Sequence, residues 1–395
     1  MTSSKSAPGL VGRPATKSIV PLVVVLAIVA TAVVAPLSSM STELALELVG
    51  VPDPGPLTTA GLPILRTIGE LLASVAVGTA LFAAFFTPPQ KDKTLDVDGY
   101  RMQRISSWAN FAWAGAAALL IPLTLSDVSG RPFWDSLPPD QWLVAINQID
   151  VASSWRWAAL IALIAAVGQR LTLSWRWSVI WLGVTALSLL PVAATGHASG
   201  STAHDIATNS LIIHLFGAAF YVGGMIALIY HTARGGTRVA LALRRYSAVA
   251  TVAIAALGFS GLVNALVRLH PADLFTSTYG LLVVSKALLL CLFAVFGLAV
   301  RRRVINRIES KNANAPVDRG TLLRIILVES AVMAGTLGLS VSLGRTPPPA
   351  PLYIPTRQEA LLGFELPGPF SLETVFGLWR FDLVLGLASG IMLGL

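Results

Sequence analysis

The stretch YGLLVVSKALLLCLFAVFGLAVRRR, residues 279–303, is apolar over most of its length and ends in three consecutive arginines. A transmembrane helix needs about 20 mainly apolar residues, and an excess of Lys and Arg is typical of cytoplasmic loops. Lipid offers no hydrogen bonds to the backbone, so a crossing segment must satisfy its polar groups internally, as a helix does. The stretch therefore predicts a membrane-spanning helix that reaches the cytoplasm near Arg301.

Similar apolar stretches recur along the whole chain. Its 395 residues are 54% hydrophobic and 12% charged, whereas an average soluble domain is about 25% charged. The sequence predicts an all-α, polytopic integral membrane bundle of nine to ten transmembrane helices embedded in lipid. The predicted spans are 18–38, 63–87, 105–125, 153–170, 176–195, 208–231, 246–268, 279–300 and 321–344, with a tenth from about 374 to Leu395.

The charge distribution predicts the orientation of these spans. Most of the 28 Lys and Arg residues fall into alternate loops if the N-terminus is cytoplasmic, as the positive-inside rule requires. The net charge of +8 is therefore attributed to cytoplasmic loops, and no nucleic-acid partner is expected. In this predicted orientation, the cytoplasmic side is the inner side and the opposite side is the outer side.

The composition along the chain predicts five segments. They are a cytoplasmic tail (1–17), a five-helix module (18–195), a four-helix module (196–346), a Pro-rich outer linker (347–373) and the first helix of a further module (374–395). Proline cannot continue a helix because it lacks the N–H, which places a linker at the prolines after Arg345. The chain ends within an apolar run, so it is expected to be part of a longer protein.

Three of the five histidines lie together in GHASGSTAHDIATNSLIIH, residues 196–214, on the outer side. Imidazole suits copper and zinc, which makes His197, His204 and His214 candidate metal ligands. Their spacing lacks the tight pattern of a zinc finger. Metal binding, structural hydrogen bonding and pH sensing therefore remain three open roles, while His231 is expected at the inner end of the sixth span.

Tyr221 and Met225 return to nearly the same helical face as His214, at 100° per residue. With a rise of about 1.5 Å per residue, Met225 lies too far from His214 to share one ion with it. The three residues are either successive stations along a path or a packing stripe beside small residues, which allow close helix approach.

Polar residues also interrupt the outer halves of other spans. Arg66 and Glu70 form an i, i+4 pair, and Asn264 lies about a turn from the outer end of the seventh span. Lys286 lies about two turns into the eighth span, where a charge costs about 2.5–3.5 kcal/mol. Glu329 in the ninth span is the predicted counter-charge. The pair serves either helix packing or transport.

Several of these stretches resemble the copper-resistance D (CopD) family. They are HLFGAAFYVGGMIAL from His214, the segments 244–269 and 279–303, and LVESAVMAGTLGLSVSLGRTPPP (327–349). The resemblance implies a multi-pass protein of the bacterial plasma membrane that is associated with copper uptake or tolerance. His197 and His214 match histidines of the family, whereas Tyr221 stands where the family often has Trp.

A second resemblance is confined to the end of the chain. PTRQEALLGFELPGPFSLETVFGLWRFDLVLGLASG (355–390) is similar to the opening of the cytochrome c oxidase assembly factor (CtaG) family. Actinobacteria fuse the two modules, so the resemblance implies copper handling linked to cytochrome c oxidase or its assembly factors as partners.

The sequence thus predicts a copper-handling membrane protein that is not an enzyme. It contains no GxxxxGK[ST] loop for ATP, the motif that cradles nucleotide phosphates. One alternative is a b-type haem electron-transfer protein, which requires axial histidines on facing helices. Another is an oxidase assembly scaffold that binds no metal.

Overall fold

The computed structural model describes residues 18–49, 52–195, 204–300, 319–349 and 357–358. Within these ranges all regular secondary structure is helical except for an isolated antiparallel β-bridge between Thr94 and Ser174. The helices are α1 (Val20–Val49), α2 (Pro56–Leu81), α3 (Val97–Ser129), α4 (Pro139–Gln148), α5 (Asp150–Leu171), α6 (Trp175–Leu187), α7 (Leu190–Ala193), α8 (His204–Ala218), α9 (Gly224–Ala233), α10 (Val239–Arg268), α11 (Thr278–Val300) and α12 (Arg319–Arg345).

Two π-helical segments continue these helices without a break. Phe82–Phe86 extends α2, and Ala219–Gly223 joins α8 to α9. Counting these continuations, nine helices of the described part are long and apolar enough to cross a membrane. They coincide with the nine complete spans predicted from the sequence, which confirms a polytopic helical membrane bundle. The predicted tenth span, 374–395, lies outside the described residues.

Local sequence explains several helix ends. Asp96 caps α3 by accepting a hydrogen bond from the amide of Gly99 at 2.7 Å, a common way to satisfy a free N–H at a helix start. Gly130 ends α3 in the left-handed conformation, with φ of 65°, which glycine adopts without steric cost. These caps fix the points at which α3 enters and leaves the apolar core.

Helix α2 occupies the centre of the bundle. It packs against α1, α3, α6 and α12, and it crosses the sixth span at the π segment Ala219–Gly223. At this crossing a Cβ on Gly78 would collide with the backbone of Gly223, and one on Gly223 would collide with the carbonyl of Ser74. Small residues permit such close backbone contact between membrane helices. The crossing joins the N-terminal helices directly to the histidine-bearing span.

Candidate functional site

The outer end of the site lies between α8 and α10. Nδ1 of His214 is 3.0 Å from the hydroxyl of Ser260, which fixes the imidazole ring against α10. One helical turn nearer the outer surface, the amide of Asn264 donates to the hydroxyl of Ser210. A Cβ built on Gly261 would lie 3.9 Å from Cε1 of His214, so Gly261 borders the ring. Asn264 and His214 therefore belong to one polar seam.

A cluster of charges lies beside this seam. Nε of Arg66 donates to Oε1 of Glu70 at 3.0 Å, as the i, i+4 spacing predicted. Lys286 on α11 lies within electrostatic reach of Glu70 and of His214. The guanidinium of Arg66 also stacks over the ring of Trp155 at 5.9 Å. Three helices, α2, α8 and α11, thus bring ionisable groups together within the apolar region.

Glu329 has a different partner from the one predicted. Its Oε1 accepts a hydrogen bond from the hydroxyl of Tyr221 at 2.7 Å, and both side chains are only 2% exposed. Lys286 on α11 lies within electrostatic reach of Glu70 on α2. The observed partner of Glu329 is therefore Tyr221 from the sixth span, and not Lys286 from α11 as predicted.

The π segment explains how Tyr221 reaches this position. A π turn closes i→i+5 hydrogen bonds and often occurs at functional sites. Its wider turn changes the register assumed for the stripe His214, Tyr221 and Met225. Tyr246 on α10 donates to the backbone carbonyl of Tyr221 at 3.0 Å, and the two rings stack with centroids 6.5 Å apart. Met225 is buried, 4% exposed, in the apolar core.

Together these residues form what we call the intramembrane polar line. From the outer end inward, it comprises the hydrogen-bonded pairs Asn264–Ser210, His214–Ser260 and Tyr221–Glu329, followed by Tyr246. Lys286 lies within electrostatic reach of His214 and of Glu70, which itself pairs with Arg66. Ionisable residues within a membrane are costly and tend to mark ion pathways or proton relays. The line contains an imidazole, carboxylates, an amine and phenols, groups able to bind a cation or exchange protons.

The predicted three-histidine site is only partly within the described residues. His197 lies outside them, and His204 begins α8, with its side chain not among those described. No group of three His, Cys, Asp or Glu side chains converges within the described part of the chain. Metal binding by His197, His204 and His214 therefore stays a prediction.

The other histidines occupy structural settings. His231 is buried at the inner end of α9, where its Nε2 is 2.8 Å from the carbonyl of Thr237 and its ring packs against Phe82. His270 lies exposed in the outer loop after α10 and accepts a hydrogen bond from the amide of Ala272. His214 and His231 lie towards opposite ends of one continuous span, so this pair does not offer the facing ligands that a haem needs.

A second buried polar network lies among α3, α5 and α6, and the sequence-based reasoning missed it. The amide of Asn110 donates to the side-chain oxygens of Gln169 and Thr185, and the amide of Gln169 donates to Ser106 and Thr185. All four side chains are at most 1% exposed. The available signal was the presence of Asn and Gln inside apolar spans, where they hydrogen-bond across helices.

Two family models match the chain. The model described as "Copper resistance protein D-like, N-terminal domain" matches residues 57–207, and "Copper resistance protein D" matches residues 240–343. Together they cover more than half of the chain. Glu70 lies in the first matched segment, and Asn264, Lys286 and Glu329 lie in the second. His214 and Tyr221 fall between the two segments.

Several curated proteins are similar to the chain. Uncharacterised proteins of Mycobacterium bovis and Mycobacterium tuberculosis are each 24% identical over 349 residues, which is 88% of this chain and 50% of theirs. The inner membrane protein YebZ of Escherichia coli is 26% identical over 261 residues, 64% of this chain and 87% of its own. The chain thus spans about half the length of the mycobacterial relatives. No solved structure matches it.

Proposed function

Because the chain belongs to the copper resistance protein D family, we propose that it handles copper at a bacterial plasma membrane, in uptake, tolerance or delivery. The family description names copper resistance, and the related protein YebZ from Escherichia coli is named an inner membrane protein. In this proposal the protein is not an enzyme, and it moves or holds the ion without hydrolysing a nucleotide.

The observation that carries the proposal is His214 near the outer end of the intramembrane polar line, one turn inward of Asn264. Metal-binding histidines usually use one ring nitrogen for a supporting hydrogen bond and the other for the metal. With Nδ1 of His214 engaged by Ser260 at 3.0 Å, Nε2 is the nitrogen that would bind copper. Imidazole is a suitable copper ligand. His197 and His204 would supply further ligands from the outer side.

The rest of the line supplies a route inward from His214. Glu70 and Glu329 lie deeper along the line and offer carboxylates, and Tyr221 and Tyr246 offer phenols. Carboxylates compensate the charge of a cation in a region where an isolated charge is costly. Copper would therefore pass from the imidazoles towards Glu329, between α2, α8–α9 and α12.

We further propose that the copper supplies cytochrome c oxidase or its assembly factors. The support is the similarity of residues 355–390 to the CtaG family, together with the greater length of the mycobacterial relatives. A scaffold without metal would have the same partners but would bind no copper. Copper content therefore separates the two functions.

The decisive experiment measures copper bound per protein after purification, for the wild type, His214→Asn and His270→Asn. Asn retains a hydrogen-bonding atom near the position of Nδ1 but has no counterpart to Nε2. We expect His214→Asn to lose the bound copper and His270→Asn, in the exposed loop, to retain it. Equal copper in all three proteins, or none in the wild type, would contradict the proposal. His231 is unsuitable as a control because it is buried against Phe82.

A further inference from the structure

The chain leaves α2 at two consecutive prolines near the predicted inner surface. A backbone carbonyl bonds to the N–H four residues later in an α-helix and five residues later in a π segment such as Phe82–Phe86. For Ala84 both of these positions are prolines, Pro88 and Pro89, which have no N–H. For Phe85 they are Pro89 and Gln90, and the N–H of Gln90 donates to the carbonyl of Thr94 instead. Both carbonyls instead accept hydrogen bonds from side chains of other helices. The indole N–H of Trp175 donates to the carbonyl of Ala84 at 2.7 Å, and Nη1 of Arg245 donates to that of Phe85 at 2.6 Å.

A groove of about 490 Å³ opens beside these two caps. Its walls are mainly apolar and include Phe85, Ala248 and Val249, and Arg245 lies at the same site. Phe85, which lines the groove, is 44% exposed. None of the residues that line the groove is acidic. The groove therefore combines an apolar surface with one fixed positive charge.

The remaining donors of Arg245 are oriented by its backbone contact. A guanidinium has five N–H donors in a rigid fork that suits phosphate. One donor is used by Phe85, and within the described ranges the structure records no carboxylate partner for this exposed side chain. Its anchored position distinguishes it from the neighbouring Arg244, which is exposed but does not line the groove.

We infer that this groove binds an anionic phospholipid, with an acyl chain against Phe85, Ala248 and Val249 and the phosphate at Arg245. Three observations favour a lipid. The groove belongs to a membrane protein, it lies at the predicted inner surface where anionic headgroups attract basic residues, and Trp175, a residue enriched at membrane interfaces, borders it. The lipid would bridge α2, α6 and α10 at their inner ends.

The test is native mass spectrometry of the purified full chain with either phosphatidylglycerol or phosphatidylcholine added. We expect the wild type to retain phosphatidylglycerol about fivefold more than phosphatidylcholine, the factor that one arginine near an anionic surface contributes. Arg245→Gln should abolish this preference, whereas Arg244→Gln, the matched loss of one charge, should retain it. Equal effects of the two variants would show diffuse attraction and overturn the inference.

A second variant tests the groove itself. Ala248→Trp leaves both arginines in place but fills the apolar wall, so it should reduce retained phosphatidylglycerol while phosphatidylcholine stays low. If Arg245→Gln fails to fold because Phe85 loses its hydrogen bond, the phosphatidylglycerol retained by Ala248→Trp and by the wild type still tests whether lipid binds in the groove. Unchanged retention in Ala248→Trp would assign the groove to another occupant and refute the inference.

Discussion

The hydrogen bond between Tyr221 and Glu329 provides the most direct test of the intramembrane polar line. Tyr221→Phe removes the donor and leaves the ring in place. Hydrogen bonds between membrane helices contribute about 0.6 kcal/mol on average and up to ~1.7 kcal/mol. This bond is 2.7 Å long and joins two side chains that are only 2% exposed. We therefore expect a loss near the upper end, roughly 1–2 kcal/mol of unfolding free energy.

A double-mutant cycle isolates this contribution from other effects of the substitution. Unfolding free energies would be measured by titration with sodium dodecyl sulfate in mixed micelles, for Tyr221→Phe, Glu329→Met and the combined variant. If the hydroxyl acts through Glu329, Tyr221→Phe should cost almost nothing once Glu329 has been replaced. Tyr100→Phe is the matched control, because Tyr100 is 41% exposed and its change should stay within about 0.5 kcal/mol.

An equal loss of unfolding free energy for Tyr221→Phe in both backgrounds would contradict this expectation. The hydroxyl would then act elsewhere, and the inner part of the polar line would lose its connection between the sixth span and α12.

Three further predictions test separate contacts, and a fourth tests the predicted orientation. Ser260→Ala should weaken copper affinity about 10–100-fold, the usual cost of losing a group that supports a metal-binding histidine. Competition with a chelator measures this affinity, and an unchanged value would show that Ser260 does not support copper binding through Nδ1 of His214. Gly223→Ala should reduce the yield of monodisperse protein on size-exclusion chromatography, because its Cβ would collide with the carbonyl of Ser74, whereas Gly115→Ala, with open space at that position, should not. Arg345→Gln should lower unfolding free energy by at most about 1 kcal/mol, because its 3.0 Å ion pair with Asp127 is partly exposed; the loss should vanish in an Asp127→Asn background. In a Cys291→Ala background, a membrane-impermeant thiol reagent applied to intact cells should label Asp140→Cys and spare Gln90→Cys, and the reverse pattern would invert the predicted orientation.

The transmembrane helices were predictable because each depends on the summed hydropathy of about 20 residues. A single polar residue such as Lys286 changes that sum little, and the nine complete spans coincide with helices of the structure. The ion pair Arg66–Glu70 was also predictable, since i, i+4 residues share one helical face. Local spacing was sufficient for both.

The partner of Glu329 and the surroundings of Lys286 were not predictable from spacing. The register of the sixth span changes at the π segment Ala219–Gly223, and a uniform 100° per residue cannot represent that change. Glu70, the carboxylate within electrostatic reach of Lys286, lies on α2, far away in sequence. Such proximity depends on how the helices pack. Packing here depends on the close backbone contact of Gly78 with Gly223, which a Cβ on either residue would prevent.

The glycine crossing also explains why the two matched segments form one site. Gly78 lies in the first segment and on the same helix as Glu70, whereas Glu329 and Lys286 lie in the second. The connecting span supplies His214, Tyr221 and Gly223, and its π segment lies directly against α2. A larger residue at the crossing would push the sixth span, which carries His214 and Tyr221, away from α2, which carries Glu70. The close approach of two glycine backbones is thus the physical condition for a polar line that draws on both halves of the chain.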